Sequence, residues 1–209
     1  NPTAHPVQAF IANRWSPYAY DAEREVSEAD LRSLFEAARW SMSSFNEQPW
    51  RYIVGVRGRT QATWDRVHDC LTEGNRGWTA RVPVLALGLI ERVYSRNGKP
   101  NTAAAHDLGA ASAALTYEAT ARGITVHQMG GIVPDRAREV LALPAALAVG
   151  ASAALACRIW APHRAASIGA MNREWARDNA RQYPPWMTIT AGRAVPPPPS
   201  TSSFSPQGS

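Results

Sequence analysis

Polar side chains crowd one short segment of the chain, residues 43–50, which reads SSFNEQPW. Hydroxyl and carboxamide groups can each donate and accept hydrogen bonds. The segment follows a predicted helix and precedes a predicted strand, so two regular elements hold this loop in place. A loop of this composition is typical of a binding site for a polar ligand. The side chains concerned are those of Ser43, Ser44, Asn46 and Gln48.

Two residues near the N-terminus have side chains suited to a phosphate-bearing ligand. Arg14 and Ser16 lie two positions apart, with Trp15 between them. A guanidinium binds phosphate through paired N–H groups, and a hydroxyl suits a polyol. This spacing alone also describes a surface arginine beside a turn, so the motif gains weight only from other residues.

Glycines follow directly on another predicted strand. His127-Gln128-Met129 leads into Gly130-Gly131, and glycine lets the backbone approach a flat ligand closely. We interpret His127 as structural, as a lone histidine beside a strand most often is. No second His, Cys or carboxylate stands at metal-ligand spacing, so no metal site is predicted.

The apolar pattern predicts helices and strands around these segments. Ser27 and Asp30 have the spacing of a capping box at the start of a helix over 28–40. Gly74-Asn75 is predicted to end a helix over 60–72. Because no clean βαβ rhythm emerges, the predicted class is α+β. Further helices are predicted at 8–13, 106–122, 135–142 and 171–183, strands at 51–56, 82–90, 124–129 and 149–160, and a loop at 94–102.

The predicted helix 106–122 is rich in Ala, Ser and Gly. Small side chains allow neighbouring helices to approach closely. We therefore expect this helix to be deeply buried or to lie at a subunit interface, although an ordinary core helix has the same composition. Asp107 stands at its start and is interpreted as a structural N-cap.

Length and composition indicate one globular domain. The chain has 209 residues, 45% of them hydrophobic, with eight Trp, enough for one well-buried core. We predict a single domain over residues 1–193. Residues 194–209 are rich in Pro and Ser and are predicted to form an extended tail.

Charge and patterning argue against several classes of protein. The net charge is +5, from 22 Lys+Arg against 17 Asp+Glu, and the cations are scattered, so nucleic-acid binding is not expected. No apolar run approaches the roughly 20 residues of a membrane span, and no signal peptide is expected. Cys70 and Cys157 suggest no disulfide framework, which favours a cytoplasmic setting.

The segment SSFNEQPW resembles the Ser-Ser-x-Asn-x-Gln-Pro-Trp signature of the nitroreductase family, flavoenzymes that use FMN. Four other segments are similar to family blocks: Arg14-Trp-Ser16, Gly74-Asn-Arg-x-Trp78, Asp107-x-Gly-x-Ala111 and His127-Gln-Met-Gly-Gly131. The resemblance covers about residues 9–160. It thins towards the C-terminus, where the family carries a basic block that clamps the FMN phosphate.

This resemblance implies an α+β fold built as a three-layer α/β/α sandwich around a central, mostly antiparallel sheet. It also implies an interlocked homodimer with two FMN sites at the subunit interface. The expected activity is hydride transfer from NADH or NADPH, through flavin N5, to an organic acceptor such as a nitroaromatic or a quinone, by a ping-pong mechanism. No catalytic side chain is expected, because the flavin carries the chemistry.

The resemblance also implies which residues hold the cofactor. Tyr18 stands where the family usually places a second cation, so we expect Arg76 to supply that charge beside the flavin ring. Phe45 stands where the family presents a residue to the small-molecule acceptor. Arg181 is the first choice for the phosphate clamp and Arg177 the second. The predicted cofactor-binding residues are Arg14, Trp15, Ser16, Tyr18, Ser43, Ser44, Asn46, Gln48, Asn75, Arg76, Met129, Gly130, Gly131 and Arg181.

Two other functions remain open from the sequence. One is specialised flavin chemistry on a particular metabolite, which a panel of acceptors with NADH and NADPH would detect. The other is a flavin-binding protein with little or no turnover, favoured by Tyr18 and by the altered C-terminal block. Anaerobic reduction of bound flavin by NAD(P)H separates it from an enzyme.

Overall fold

The structure is a computed structural model that describes residues 3–18, 20 and 24–159, with the backbone alone for 151–159. The predicted helix 171–183, both candidate clamp arginines, Arg177 and Arg181, and the tail 194–209 lie outside the described residues.

Helices and strands follow one another in a mixed order, and most predicted elements are present. Strand β3 (Ile124–Met129) has the predicted bounds. The remaining helices are α1 (Ala9–Ala12), α2 (Glu28–Arg39), α3 (Gln61–Asp69), α4 (Glu73–Thr79), α5 (Ala104–Ala121) and α6 (Pro134–Val140), and the remaining strands are β1 (Trp50–Val56), β2 (Val84–Glu91) and β4 (Leu147–Ile159). A short 3-10 helix spans Ser44–Asn46. The α+β class is confirmed.

The four strands form one sheet in the order β1-β2-β4-β3. Each described pairing is antiparallel: Trp50 pairs with Ile90 at one edge, and Ile124 pairs with Ile159 at the other. The predicted mostly antiparallel sheet is therefore present. No helix in the described part of the chain is both long enough and apolar enough to cross a membrane.

Alternate residues of β2 face two separate apolar cores, as the side-chain period of a strand requires. Val84 and Ala86 join one core with buried residues of α2 and α5. Leu85, Leu87 and Leu89 join the other with buried residues of α3 and α6. Both faces of β2 are thus covered by helices, which makes its near-continuous apolar sequence favourable.

Leu108 fixes the position of α5 on the sheet. Its side chain is 2% exposed and fills the space above two glycines of neighbouring strands. A Cβ built at Gly150 would lie 2.3 Å from Leu108 Cδ2, and one at Gly88 would lie 3.1 Å from Leu108 Cδ1. Glycine at these positions lets the backbone of α5 approach the sheet, so α5 is a core helix on this side.

The predicted helix 60–72 is present, but it ends three residues earlier than predicted, at Asp69. The chain leaves α3 at Cys70, and Gly74 and Asn75 lie inside α4 instead of ending a helix. The reason is a pairing across 60 residues, which sequence periodicity does not report: Leu71 forms an isolated bridge with Ile132, and Thr72 N donates to the Gly131 carbonyl at 3.0 Å.

The N-cap assigned to Asp107 is also wrong, whereas the cap at Ser27 is confirmed. Ser27 Oγ accepts a hydrogen bond from Asp30 N at 3.0 Å. Helix α5 begins earlier than predicted, at Ala104, and the Asn101 side chain accepts from Ala103 N at 3.1 Å just before it. Asp107 lies within the first turn of α5 and is 3% exposed.

Candidate active site

A buried histidine joins the N-terminal segment to β3. His127 Nδ1 lies 2.9 Å from the carbonyl oxygen of Pro17. The imidazole meets the Tyr18 ring edge-on, with centroids 4.7 Å apart, and stacks on Trp78 of α4 at 4.6 Å. Burial lowers the pKa of His127, although its hydrogen bond to Pro17 opposes that shift. A neutral imidazole therefore joins three segments, which is the structural role expected of it.

The motif Arg14-x-Ser16 lies beside a cavity of ≈ 180 Å³ between the N-terminal segment, α5 and β3. Arg14 Nη1 lies 3.5 Å from Ser16 Oγ, so the guanidinium and the hydroxyl are neighbours at its wall. Among the other lining residues, Gln128 Nε2 donates to Thr116 Oγ1 at 2.9 Å. The cavity lining comprises Arg14, Ser16, Ala113, Thr116, Tyr117, Val126 and Gln128. A cation and hydroxyl groups at one cavity suit a phosphate or a polyol. We call this space the Arg14 cavity.

Asn75 fixes the glycine turn that follows β3. Its Nδ2 donates to the Gly131 carbonyl at 3.2 Å, and its Oδ1 accepts from Trp78 Nε1 at 3.1 Å. A Cβ at Gly131 would lie 2.3 Å from Asn75 Nδ2, so a larger residue here would displace the Asn75 amide. Met129 is buried and Gly130 is exposed. The structure thus brings the predicted Asn75 and Gly131 together, with the amide of Asn75 bonded to protein groups.

Arg76 contacts the end of α3. Its Nε donates to the Leu71 carbonyl at 2.9 Å, and one Nη donates to the Asp69 carbonyl at 2.8 Å. The Asp69 carboxylate lies 3.6 Å from Arg76 and also bonds Arg136. Arg76 thus bonds to protein groups at the end of α3. That it places a positive charge beside the flavin ring stays a prediction.

The loop 43–48, here called the Phe45 loop, contains residues in the left-handed backbone conformation, which is unfavourable for most residues other than glycine. Phe45, Asn46 and Gln48 have φ values of 55°, 56° and 49°. Ser43 Oγ accepts from Gln48 N at 3.0 Å, and Gln48 Nε2 donates to Asn46 Oδ1 at 3.0 Å. Left-handed conformations of this kind concentrate at functional sites, where surrounding contacts hold them.

Asp107 holds the Phe45 loop against α5. Its carboxylate accepts a hydrogen bond from Ser44 N at 3.1 Å. Ser44 Oγ lies 3.2 Å from the Tyr94 hydroxyl, and Glu47 accepts from Ser95 N. Sequence reasoning missed Asp107 and Tyr94 as partners of this loop. The contact between Ser44 and Tyr94 joins residues 50 positions apart, so no local sequence pattern predicts it.

The predicted site residues therefore form two groups within the described part of the chain. Arg14 and Ser16 line the Arg14 cavity with residues of α5 and β3, and Tyr18 packs against Trp78 of α4 and His127 of β3. The Phe45 loop makes its polar and ring contacts within itself, with Arg51, with residues 94–96 and with Asp107. Among the described residues, no group of three or more His, Cys, Asp or Glu is placed to hold a metal ion.

Part of the chain matches a known protein family and a curated relative. Residues 11–77 match the family model described as the nitroreductase family. The major NAD(P)H-flavin oxidoreductase of Aliivibrio fischeri is 42% identical over 65 residues, which cover 31% of this chain and 28% of that protein. The chain thus matches well under two thirds of the length of this curated relative.

Solved structures match over most of the chain. An oxidoreductase containing FMN superposes with a TM-score of 0.71 at 28% identity, covering 83% of this chain and 86% of the other. A protein from Desulfovibrio desulfuricans solved in complex with FMN has a TM-score of 0.60 at 25% identity, with 75% and 87% covered. The chain thus carries a segment that matches the nitroreductase family model, and it shares its fold with FMN-containing structures.

Proposed function

We propose that the protein binds FMN and transfers reducing equivalents from NAD(P)H to an organic acceptor, such as a nitroaromatic or a quinone. The observation that carries this proposal is the Arg14 cavity, where a cation and hydroxyl groups line a space between the N-terminal segment, α5 and β3. That donor set fits the phosphate and ribityl chain of FMN. The names of the relatives supply the matching cofactor and electron donor.

In this proposal the protein supplies binding and orientation. When bound, FMN supplies ring atom N5, which takes hydride from NAD(P)H and passes two electrons to the acceptor. Arg14 binds the phosphate, Ser16 bonds the polyol, and backbone N–H groups at Gly130-Gly131 donate to the ring edge. For a nitroaromatic the balance is NAD(P)H + H⁺ + ArNO₂ → NAD(P)⁺ + ArNO + H₂O.

We further propose a homodimer in which the Phe45 loop completes the partner's site. Within one protomer this loop contacts the 94–96 segment and Asp107. Large apolar side chains are exposed around it: Trp40, Met42 and Phe45 are 75%, 74% and 69% exposed. Such a cluster favours burial against another chain. The helices on both faces of β2 support the three-layer sandwich as the architecture of each protomer.

The test is FMN binding followed by anaerobic reduction. FMN fluorescence quenching gives the Kd for the wild type and for Arg14→Gln. We expect the variant to bind about 10- to 100-fold more weakly, since a charge-assisted hydrogen bond contributes about 1.5–3 kcal/mol. The matched control is Arg57→Gln. Arg57 is an exposed arginine that directly follows β1, and its guanidinium carbon lies 5.9 Å from the centroid of the Trp64 ring.

Stopped-flow mixing with NADH or NADPH then measures the rate of flavin reduction. Reduction within seconds and parallel-line steady-state kinetics support an enzyme with a ping-pong mechanism. Bleaching over hours would support a flavin-binding protein without turnover, the alternative that Tyr18 in place of a cation favours. A protein that takes up no FMN would contradict both.

A further inference from the structure

An arginine covers the exposed aromatic ring of the Phe45 loop. The Arg96 guanidinium carbon lies 3.8 Å from the centroid of the Phe45 ring and 5.4 Å from that of Tyr94. The two aromatic rings meet edge-on at 5.8 Å. Phe45 is 69% exposed and has a φ of 55°. A large apolar side chain held out of the core by a strained backbone needs a reason beyond packing.

The segment that carries Arg96 is fixed to the Phe45 loop. Val93 forms an isolated bridge with Pro100, and Tyr94 N donates to the Lys99 carbonyl at 2.8 Å, which closes a tight loop. The Tyr94 hydroxyl and Ser95 N bond Ser44 and Glu47. The ring and the guanidinium are therefore preorganised as a pair, and a ligand that binds them loses little of its affinity to ordering.

The hydrogen-bonding groups of Arg96 face solvent. In the described part of the chain no acceptor lies within hydrogen-bond distance of its guanidinium, and no carboxylate lies within 4 Å of it. Glu47 is the nearby acid: its bond from Ser95 N holds the pKa of that carboxyl below its usual range, and Arg96 adds to the shift. The Glu47 carboxylate is thus engaged by the backbone, and the N–H fork of Arg96 remains available.

We propose that Arg96 is a specificity residue that selects planar acceptors bearing a carboxylate. The face of the Phe45 ring that Arg96 does not cover offers an apolar surface for an aromatic ring, and the guanidinium offers paired N–H donors to a carboxylate that extends past the edge of the Phe45 ring. This inference rests on the proposed function, because it takes Phe45 as a wall of the acceptor site. It adds the chemical class of the acceptor and the residue that recognises it.

The test uses two nearly isosteric acceptors, 4-nitrobenzoate and its neutral counterpart 4-nitrobenzamide. Enzyme reduced beforehand with one equivalent of dithionite, so that none remains, is mixed anaerobically with each acceptor. NAD(P)H, which is itself negatively charged, is therefore absent from the assay. The reduced enzyme gives up two electrons, and with two protons the nitro group becomes a nitroso group and water. The measured quantity is the ratio of second-order rate constants, benzoate over benzamide.

We expect Arg96→Gln to lower this ratio about two- to five-fold, the range for an ion pair at an exposed site. Arg96→Lys, which keeps the charge and loses the fork, should lie between. Arg57→Gln makes the same substitution in an arginine that lies over the Trp64 ring, at the far end of β1 from the Phe45 loop, and should keep the wild-type ratio. Raising the ionic strength should lower the wild-type ratio towards that of Arg96→Gln.

A binding measurement separates recognition from chemistry. Benzoate cannot be reduced, and its Kd for the FMN-loaded protein, followed by perturbation of the flavin spectrum, should rise by the same factor in Arg96→Gln. An unchanged ratio and an unchanged benzoate Kd in Arg96→Gln would overturn the inference and leave the proposed function standing. A wild type that reduces neither acceptor would overturn the inference, and one that also fails to reduce a quinone would overturn the proposed function.

Discussion

Adding one methyl group at Gly150 tests how α5 is positioned on the sheet. In the structure a Cβ there would lie 2.3 Å from Leu108 Cδ2, well inside van der Waals contact. The position has no left-handed φ, so alanine brings no backbone strain and the steric term is isolated. At Gly88 the nearest atom of the same leucine is 3.1 Å away, a milder overlap.

These distances set the expected order of the effects. Overpacking a close-packed core costs about 1–3 kcal/mol, and Gly150→Ala should lie in that range. Gly88→Ala should cost less. Leu108→Ala alone should cost about 2–5 kcal/mol through lost burial and the cavity that remains. In the double variant the new methyl occupies part of that cavity, so the combined cost should be at least about 1 kcal/mol below the sum.

Urea unfolding followed by tryptophan fluorescence gives each free energy of unfolding. Gly77→Ala is the control, because a Cβ there has no neighbour within 4 Å in α4. It should raise stability by about 0.5–1 kcal/mol, as alanine replacing glycine in a helix does. Additive costs for Gly150→Ala and Leu108→Ala would refute the proposed contact between them.

Three further outcomes follow from the structure. Asp107→Ala removes the acceptor of Ser44 N and should lower stability by about 1.5–3 kcal/mol in urea unfolding, with Asp107→Asn losing less because it keeps an acceptor; equal losses would contradict the role of this hydrogen bond. His127 has a pKa lowered by burial from 6.5, so the unfolded chain binds the proton more readily, and the free energy of unfolding should fall by up to about 1.4 kcal/mol per pH unit below pH 6.5; His127→Leu should lack this component in matched urea titrations. Burial raises the pKa of the Cys70 thiol to about 11, so in a Cys157→Ser background a disulfide reagent at pH 8 should react only at the rate of unfolding, and fast labelling of the native protein would contradict this.

Local sequence signals predicted the regular elements well. Strand β3 and the cap at Ser27 depend on residues within a few positions of one another, so periodicity and cap spacing suffice. The break between α3 and α4 depends instead on Leu71 and Thr72 pairing with residues 131–132. That pairing overrides a helical pattern, and it cannot be predicted from local patterns in a single sequence.

The site divides in the same way. The motif pattern selected Arg14, Ser16 and the Phe45 loop as candidates, because the resemblance depends on their spacing in sequence. It did not identify Arg96 or Asp107 as partners of the loop, since both reach it through tertiary contacts. The protein partners of Asn75 and Arg76 were missed for the same reason: their bonds to Gly131 and Asp69 exist only once the chain has folded.

The central claim is that one site is built from two chains, the Arg14 cavity of one protomer and the Phe45 loop of its partner. Co-expression of Arg14→Glu and Asn46→Asp subunits tests it by counting FMN sites of wild-type affinity. Random assembly makes half of the dimers mixed, and each mixed dimer then carries one site with both halves intact. We predict that about a quarter of the sites recover wild-type affinity, while neither variant alone shows any. No recovery in the mixed population would contradict the shared site.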